Sequence, residues 1–176
     1  LDGKIAAEDK SSQWITNEDS RNDVQLLRSQ SDAILIGTET ALIDNPHLIP
    51  RSSSQRPARI VMGERAIPNS YHLHNEEAPT IFIKSRKVSD LLDRFKVEGF
   101  NQVLVEAGPT LGTALLAENL IDEIVLYQAP KLLGSGASFI GDLGIKSLSD
   151  HRSLELLSLT QCGSDIKAHY RVVGNI

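Results

Sequence analysis

Four short apolar runs, each closed by a glycine or a polar residue, set the main limit on how this chain folds. "AILIG" (residues 33–37), "ARIVMG" (58–63), "PTIFIK" (79–84) and "QVLVEAG" (102–108) are short and nearly continuous in apolar character. Such runs read as strands buried on both faces, the mark of a largely parallel sheet. Helix patterns lie between them. "NEDSRNDVQLLRSQ" (17–30) opens with acidic residues and sets Val24 and Leu27 three apart on one stripe. "VSDLLDRFK" (88–96) and "TLGTALLAENL" (110–120) are two more.

The last third changes character. "EIVLYQ" (123–128) predicts another strand, followed by the glycine-rich loop "APKLLGSGASFIGDLG" (129–144). "LELLSLTQCGSDIKAHYRVV" (154–173) reads as two strands joined at 162–165. In the second, Ile166, Ala168, Tyr170 and Val172 alternate with Lys167, His169 and Arg171. One buried and one wet face predict an antiparallel strand at or near a sheet edge. The expected class is α/β: a mixed, mostly parallel sheet that ends in a C-terminal antiparallel hairpin, with "RSSSQR" (51–56) as an exposed loop.

A chain of 176 residues, 40% hydrophobic, fits one domain of ordinary size. A net charge of −5 argues against nucleic acid or an anionic membrane as main partner, since both favour a basic stripe. Cys162 is the one cysteine, which removes a disulfide framework and fits a reducing, cytoplasmic setting. The five histidines lack the spacing of a metal site; His72 and His74 read as part of a solvated loop. Neither a GxSxG elbow nor a Walker loop is present, which disfavours acyl transfer and nucleotide hydrolysis. The HxE…PCxxC set is absent as well, excluding zinc-deaminase chemistry for this segment.

Several residues carry possible chemistry. Gly108, Pro109 and Thr110 follow a strand and open a helix, where α/β sheets bind ligands and free N–H groups attract anions. Glu106, two residues earlier, would repel such an anion, and a carboxylate at a strand tip calls for a partner or a job. Trp14, flanked by Ser11, Ser12 and Gln13, reads either as a packing residue or as a flat surface for a heterocycle. Thr40 and Asp44, four apart, share a helical face, unless Asp44 merely caps the turn at Asp44-Asn45-Pro46. Arg28 and Arg51 are either solvated or placed to grip a phosphate.

Taken in order, the motifs are more specific than any one of them. "LDGKIA" (1–6), "SQWIT" (12–16), "AILIGTETALIDNPHLIPR" (33–51), "VLVEAGPTL" (103–111) and "APKLLG" (129–134) together resemble the reductase domain of the bifunctional riboflavin-biosynthesis deaminase–reductase family. The resemblance implies a three-layer α/β/α fold of the dihydrofolate-reductase type. It implies that residues 1–176 are a single reductase domain, a fragment of a longer chain with an N-terminal deaminase domain. It also implies NADPH-dependent reduction of the ribosyl group of 5-amino-6-(5-phosphoribosylamino)uracil to the ribityl form, and a homodimer.

Residue by residue, the resemblance puts Trp14, Thr40 and Asp44 at the NADPH site, with Gly108, Pro109, Thr110, Leu111 and Gly112 cradling its phosphates. Ser12, Arg28, Leu48, Arg51 and Glu106 would hold the phosphoribosylaminopyrimidine substrate. Lys4 and Glu106 would lie near the reacting sugar as the catalytic residues, one of them assisting ring opening or proton transfer; outside the motifs, Lys84, Ser85 and Arg86 are candidates for the 2′-phosphate. The alternatives are another reductase of the same fold, acting on the diaminopyrimidine or on dihydrofolate, and a degenerate domain that only binds a nucleotide or dimerises.

Overall fold

The computed structural model describes residues 1–51 and 53–174. The chain forms two compact units, one of Asp23–Gly112 and the other of Leu1–Asn22 with the chain from Thr113 onward.

The Asp23–Gly112 unit holds the parallel sheet. Strands β1 (Ala33–Gly37), β2 (Ala58–Met62), β3 (Thr80–Ile83) and β4 (Val103–Val105) lie in the order β3-β2-β1-β4, every neighbouring pair parallel. The register sets Leu35 opposite both Ile60 and Val105. Ala33, Ile34, Leu35, Ile36 and Ile60 are fully buried, as continuous apolar runs require of central parallel strands. Ile34, Ile36 and Val61 pack with Ala41, Leu48, Ile67 and Leu73 in one core cluster. Helix α1 (Glu18–Ser29) starts with the acidic residues expected of it, and α2 (Thr38–Asp44) follows β1 directly. Helices α3 (Val88–Glu98) and α4 (Pro109–Ala117) precede and follow β4.

Chain order matters in this sheet. From β1 the chain steps outward to β2 and β3, then returns to lay β4 on the other side of β1. The neighbouring carboxyl ends of β1 and β4 are therefore a topological switch point, where open α/β sheets leave a crevice for ligands.

The other unit holds an antiparallel sheet of β5 (Glu123–Gln128), β6 (Leu154–Cys162) and β7 (Asp165–Val172), in the order β5-β7-β6. The hairpin turns at Gly163 and Ser164, as expected. Strand β7 is central in this sheet, not at its edge. Side-chain alternation reports a wet face, but says nothing of how many hydrogen-bonding neighbours a strand has. The N-terminal segment runs beside the glycine-rich loop: Ile5 donates its N–H to Ala137 O at 2.9 Å and Phe139 donates to Gly3 O at 3.0 Å. Asp2 takes the Gly134 and Leu133 amides at 2.7 and 2.9 Å, and these bonds, Gly134 foremost, hold its carboxyl below the usual range.

Candidate active site

In the Asp23–Gly112 unit, the switch point brings together α1, β1 and the end of β4. Strand β4 ends at Val105, and Glu106 extends the pairing by donating its N–H to Leu35 O at 2.9 Å. Its side chain stands at the strand tip. Arg28, in the last turn of α1, meets it there: Nε donates to Oε1 and Nη2 to Oε2, each at 2.6 Å. The side chains are 17% and 23% exposed, so water screens this forked pair only partly. Burial works against the Arg28 charge, but the hydrogen bonds and attraction from Glu106 outweigh it and hold the guanidinium above its ordinary value. Glu106 is therefore not a bare negative charge beside an anion-binding helix start.

Helix α4 begins at Pro109, two residues past Ala107. Its opening offers fewer donors than the sequence suggests. Pro109 has no N–H, and the Gly112 amide is committed to Gly108 O at 3.1 Å. The donors of this turn are the amides of Gly108, Thr110 and Leu111. Neither Gly108 nor Gly112 needs to be glycine for the backbone's sake, since neither has a positive φ. A Cβ built on either meets no atom within 4 Å. Gly112 lies inside a helix, where alanine is favoured by about 1 kcal/mol. With no side chain at Gly108 or Gly112 and open space at both, the helix start leaves room for the close approach of a nucleotide pyrophosphate, so the residues present fit a pyridine-nucleotide cofactor.

Thr40 and Asp44 stand four apart on α2, Thr40 half-buried and Asp44 exposed at the last position. Burial of part of the Asp44 carboxyl pushes it above the usual range. The cap of α2 is not Asp44 but Asn45, in the left-handed region at φ 41°, with its N–H on Ala41 O at 3.1 Å. Its side-chain oxygen also accepts the His72 amide at 2.9 Å. Leu48 has φ 53° and is 2% exposed within the core cluster. Contact between Leu48 and a ligand would have to come from its backbone. Arg51 is exposed, its amide 3.3 Å from Gln25 Oε1. Of the loop 51–56, Ser52 lies outside the described residues; Ser53 is half-buried and residues 54–56 are exposed. Arg86 pairs with Glu64 at 3.0 Å, and Ser85 Oγ accepts the Lys87 amide at 3.0 Å.

Lys4, Ser12 and Trp14 belong to the other unit. Lys4 Nζ donates to Ser138 Oγ at 3.0 Å, and Ser12 is exposed. Trp14 is not a packing residue: it is 63% exposed, with the Arg21 guanidinium 4.6 Å from its ring centre. Lys131 Nζ holds its carbonyl at 2.9 Å.

Other polar centres escape motif reading. Arg59, within the apolar run of β2, is fully buried and donates to His72 O, Asn75 Oδ1, Asn75 O and Ala78 O at 2.5–2.9 Å. Its signal was a charge inside a strand pattern, the same signal that singles out Glu106. His72 is not simply solvated, since its ring stacks on His47 at 3.6 Å between centroids. Among the described residues no group of three or more His, Cys, Asp and Glu side chains is placed to hold a metal ion. No helix of the described residues is long and apolar enough to cross a membrane.

The model of the RibD C-terminal domain matches residues 1–168. This chain belongs to the RibD C-terminal domain family. It is the reductase-domain family that the order of motifs resembles. The riboflavin biosynthesis protein RibD of Mycobacterium tuberculosis is 36% identical over 171 residues, which cover 94% of this chain and 50% of that protein. That of Aquifex aeolicus is 34% identical over 197 residues, covering 97% and 55%. Acinetobacter baumannii RibD, form 2, superposes with a TM-score of 0.86 at 29% identity, over 98% of this chain and 55% of that one. The chain thus spans about half the length of the curated relatives it matches. Its fold is the dihydrofolate-reductase-like α/β fold of the RibD C-terminal domain, its strands forming a parallel sheet of four and an antiparallel sheet of three that includes the C-terminal hairpin.

Proposed function

We propose that this chain reduces the ribosyl group of 5-amino-6-(5-phosphoribosylamino)uracil to the ribityl form with NADPH. The observation that carries the reading is Glu106, held by Arg28 at the switch point of the parallel sheet, in a chain of the RibD C-terminal domain family. The relatives' name, riboflavin biosynthesis protein, supports the pathway.

When bound, NADPH supplies the hydride. Thr40, Asp44 and Trp14 would orient it, and the amides of Gly108, Thr110 and Leu111 would meet its phosphates. For the substrate, Arg51 and the Nη1 edge of Arg28 offer charge-assisted donors to the 5′-phosphate, with Ser12 and the Leu48 backbone completing the hold. The closed ribosylamine opens when the bond from the anomeric carbon to the ring oxygen breaks. That oxygen takes a proton, and the nitrogen on the same carbon gives one up. One of Lys4 and Glu106 assists these transfers. The reading includes a homodimer, supported by Leu156 and Leu159, 53% and 60% exposed on the outer strand β6.

The test is a purified chain, NADPH and the deaminated or the undeaminated phosphoribosylaminopyrimidine in turn. Loss of nicotinamide absorbance with the deaminated compound alone is the expected result. Turnover of only the undeaminated compound would assign the related diaminopyrimidine reductase instead. If neither ligand raises the melting temperature, a binding or dimerising role replaces both.

A further inference from the structure

A guanidinium carries five N–H donors, and Arg28 spends its Nε–Nη2 side on Glu106. The fork uses both carboxylate oxygens, so the carboxylate cannot turn without breaking one of two 2.6 Å bonds. Among the described residues Arg28 alone bonds that carboxylate through its side chain. The Glu106 backbone is held by its N–H on Leu35 O, but beyond it the chain has no regular structure up to α4, and nothing in the strand tip itself fixes the direction of the carboxylate. Arg28, by contrast, stands in the last turn of a 12-residue helix. A rigid element thus supplies the orientation that the strand tip lacks.

We propose that Arg28 is a positioning residue for Glu106, acting through the geometry of its fork and not only through its charge. The proposal rests on the sugar-facing role of Glu106 given above. A phosphate anchor and a positioning fork differ in what lysine can replace. Lysine keeps a point charge for a phosphate but cannot make the planar double bond to a carboxylate.

The experiment compares Arg28→Ala, Arg28→Lys, Glu106→Gln and the double variant Arg28→Ala/Glu106→Gln. Turnover is measured with the phosphorylated substrate and with its phosphate-free ribosyl analogue. Calorimetry with the phosphate-free ribityl compound is run in parallel, with no cofactor and no turnover. Positioning predicts that Arg28→Lys loses kcat nearly as far as Arg28→Ala, on the order of 100-fold, with both substrates. It predicts that the double variant loses no more than the worse single variant, and that all three single variants weaken the phosphate-free ligand alike. The proposal is overturned if Arg28→Lys restores kcat, or if Arg28→Ala raises only the KM of the phosphorylated substrate. A wild-type chain that binds the ribityl compound without turning over removes the reductase reading, and calorimetry on the variants still decides this one. No binding by the wild-type chain, or unchanged binding and kcat in Glu106→Gln, overturns the role of Glu106 and this proposal together.

Discussion

Asp165 accepts the Ser20 hydroxyl at 2.7 Å through the same oxygen that takes the Asn17 amide at 2.8 Å. Asp165 and Ser20 are each 1% exposed. Asn17 in turn caps α1 by accepting the Ser20 amide at 2.9 Å and reaches the Cys162 carbonyl at 2.7 Å. The hairpin turn and the start of α1 are thus one polar cluster. Asp165→Ala leaves two donors without an acceptor in a dry place, and is expected to cost about 1–3 kcal/mol in urea unfolding. A loss within error of zero would mean that water reaches the cluster.

Gly163 lies beside that cluster at φ 61°. A Cβ there is disfavoured by the backbone and would meet the Asp19 carboxylate and, at 2.7 Å, the Asn17 amide nitrogen. Gly163→Ala is expected to destabilise by about 1–3 kcal/mol and to lower Tm in a thermal scan.

Arg59 is a structural cation. Methionine has similar reach and no donors, so Arg59→Met strips the bonds from His72, Asn75 and Ala78. A loss of about 2–4 kcal/mol is expected, with hydrogen exchange accelerating first over residues 72–78. Uniform acceleration across the whole chain would show that the arginine holds more than this segment.

Asp32 takes the amides of Gln102 and Asn101 at 2.9 and 2.7 Å, and those bonds, Gln102 foremost, hold its carboxyl below the usual range. A carboxylate depressed in the folded state adds stability above its unfolded pKa, near 3.9, and that stability is lost as pH falls through the lower folded value. Asp32→Asn is therefore expected to lower stability at neutral pH and to flatten its decline on acidification below about pH 4. Chemical unfolding at two pH values reads both effects.

Gly112 separates folding from binding. Alanine meets no neighbour within 4 Å and suits the helix, so Gly112→Ala is expected to hold or raise Tm. If bare backbone admits a pyrophosphate there, the same variant weakens NADPH binding severalfold in a fluorescence titration. Unchanged affinity would remove Gly112 from the cofactor reading.

Much of the sheet was open to sequence reading because buried parallel strands need unbroken apolar runs. "AILIG" and "EIVLYQ" are β1 and β5 within their expected bounds, while β2 is shorter than its run by Gly63, β3 by Pro79 and Lys84, and β4 by Gln102 and residues 106–108. Trp14 was open to two readings because indole suits both a core and a ligand, and its exposure removed the first. The resemblance puts Leu48 among the substrate-binding residues, but its side chain lies in the core, since a sequence motif does not reveal which way a left-handed residue points.

The sequence by itself determined the α/β class, the antiparallel ending, the family and the residue types available for chemistry, because apolar period, turn residues and motif order are local properties. Tertiary structure decided the partners. Arg28 and Glu106 are 78 residues apart, and only the return of β4 to the far side of β1 puts the strand tip within reach of the last turn of α1. A carboxylate and a cation each left open by sequence are thereby one forked pair, since charge in a half-dry crevice is stable only when another part of the chain meets it.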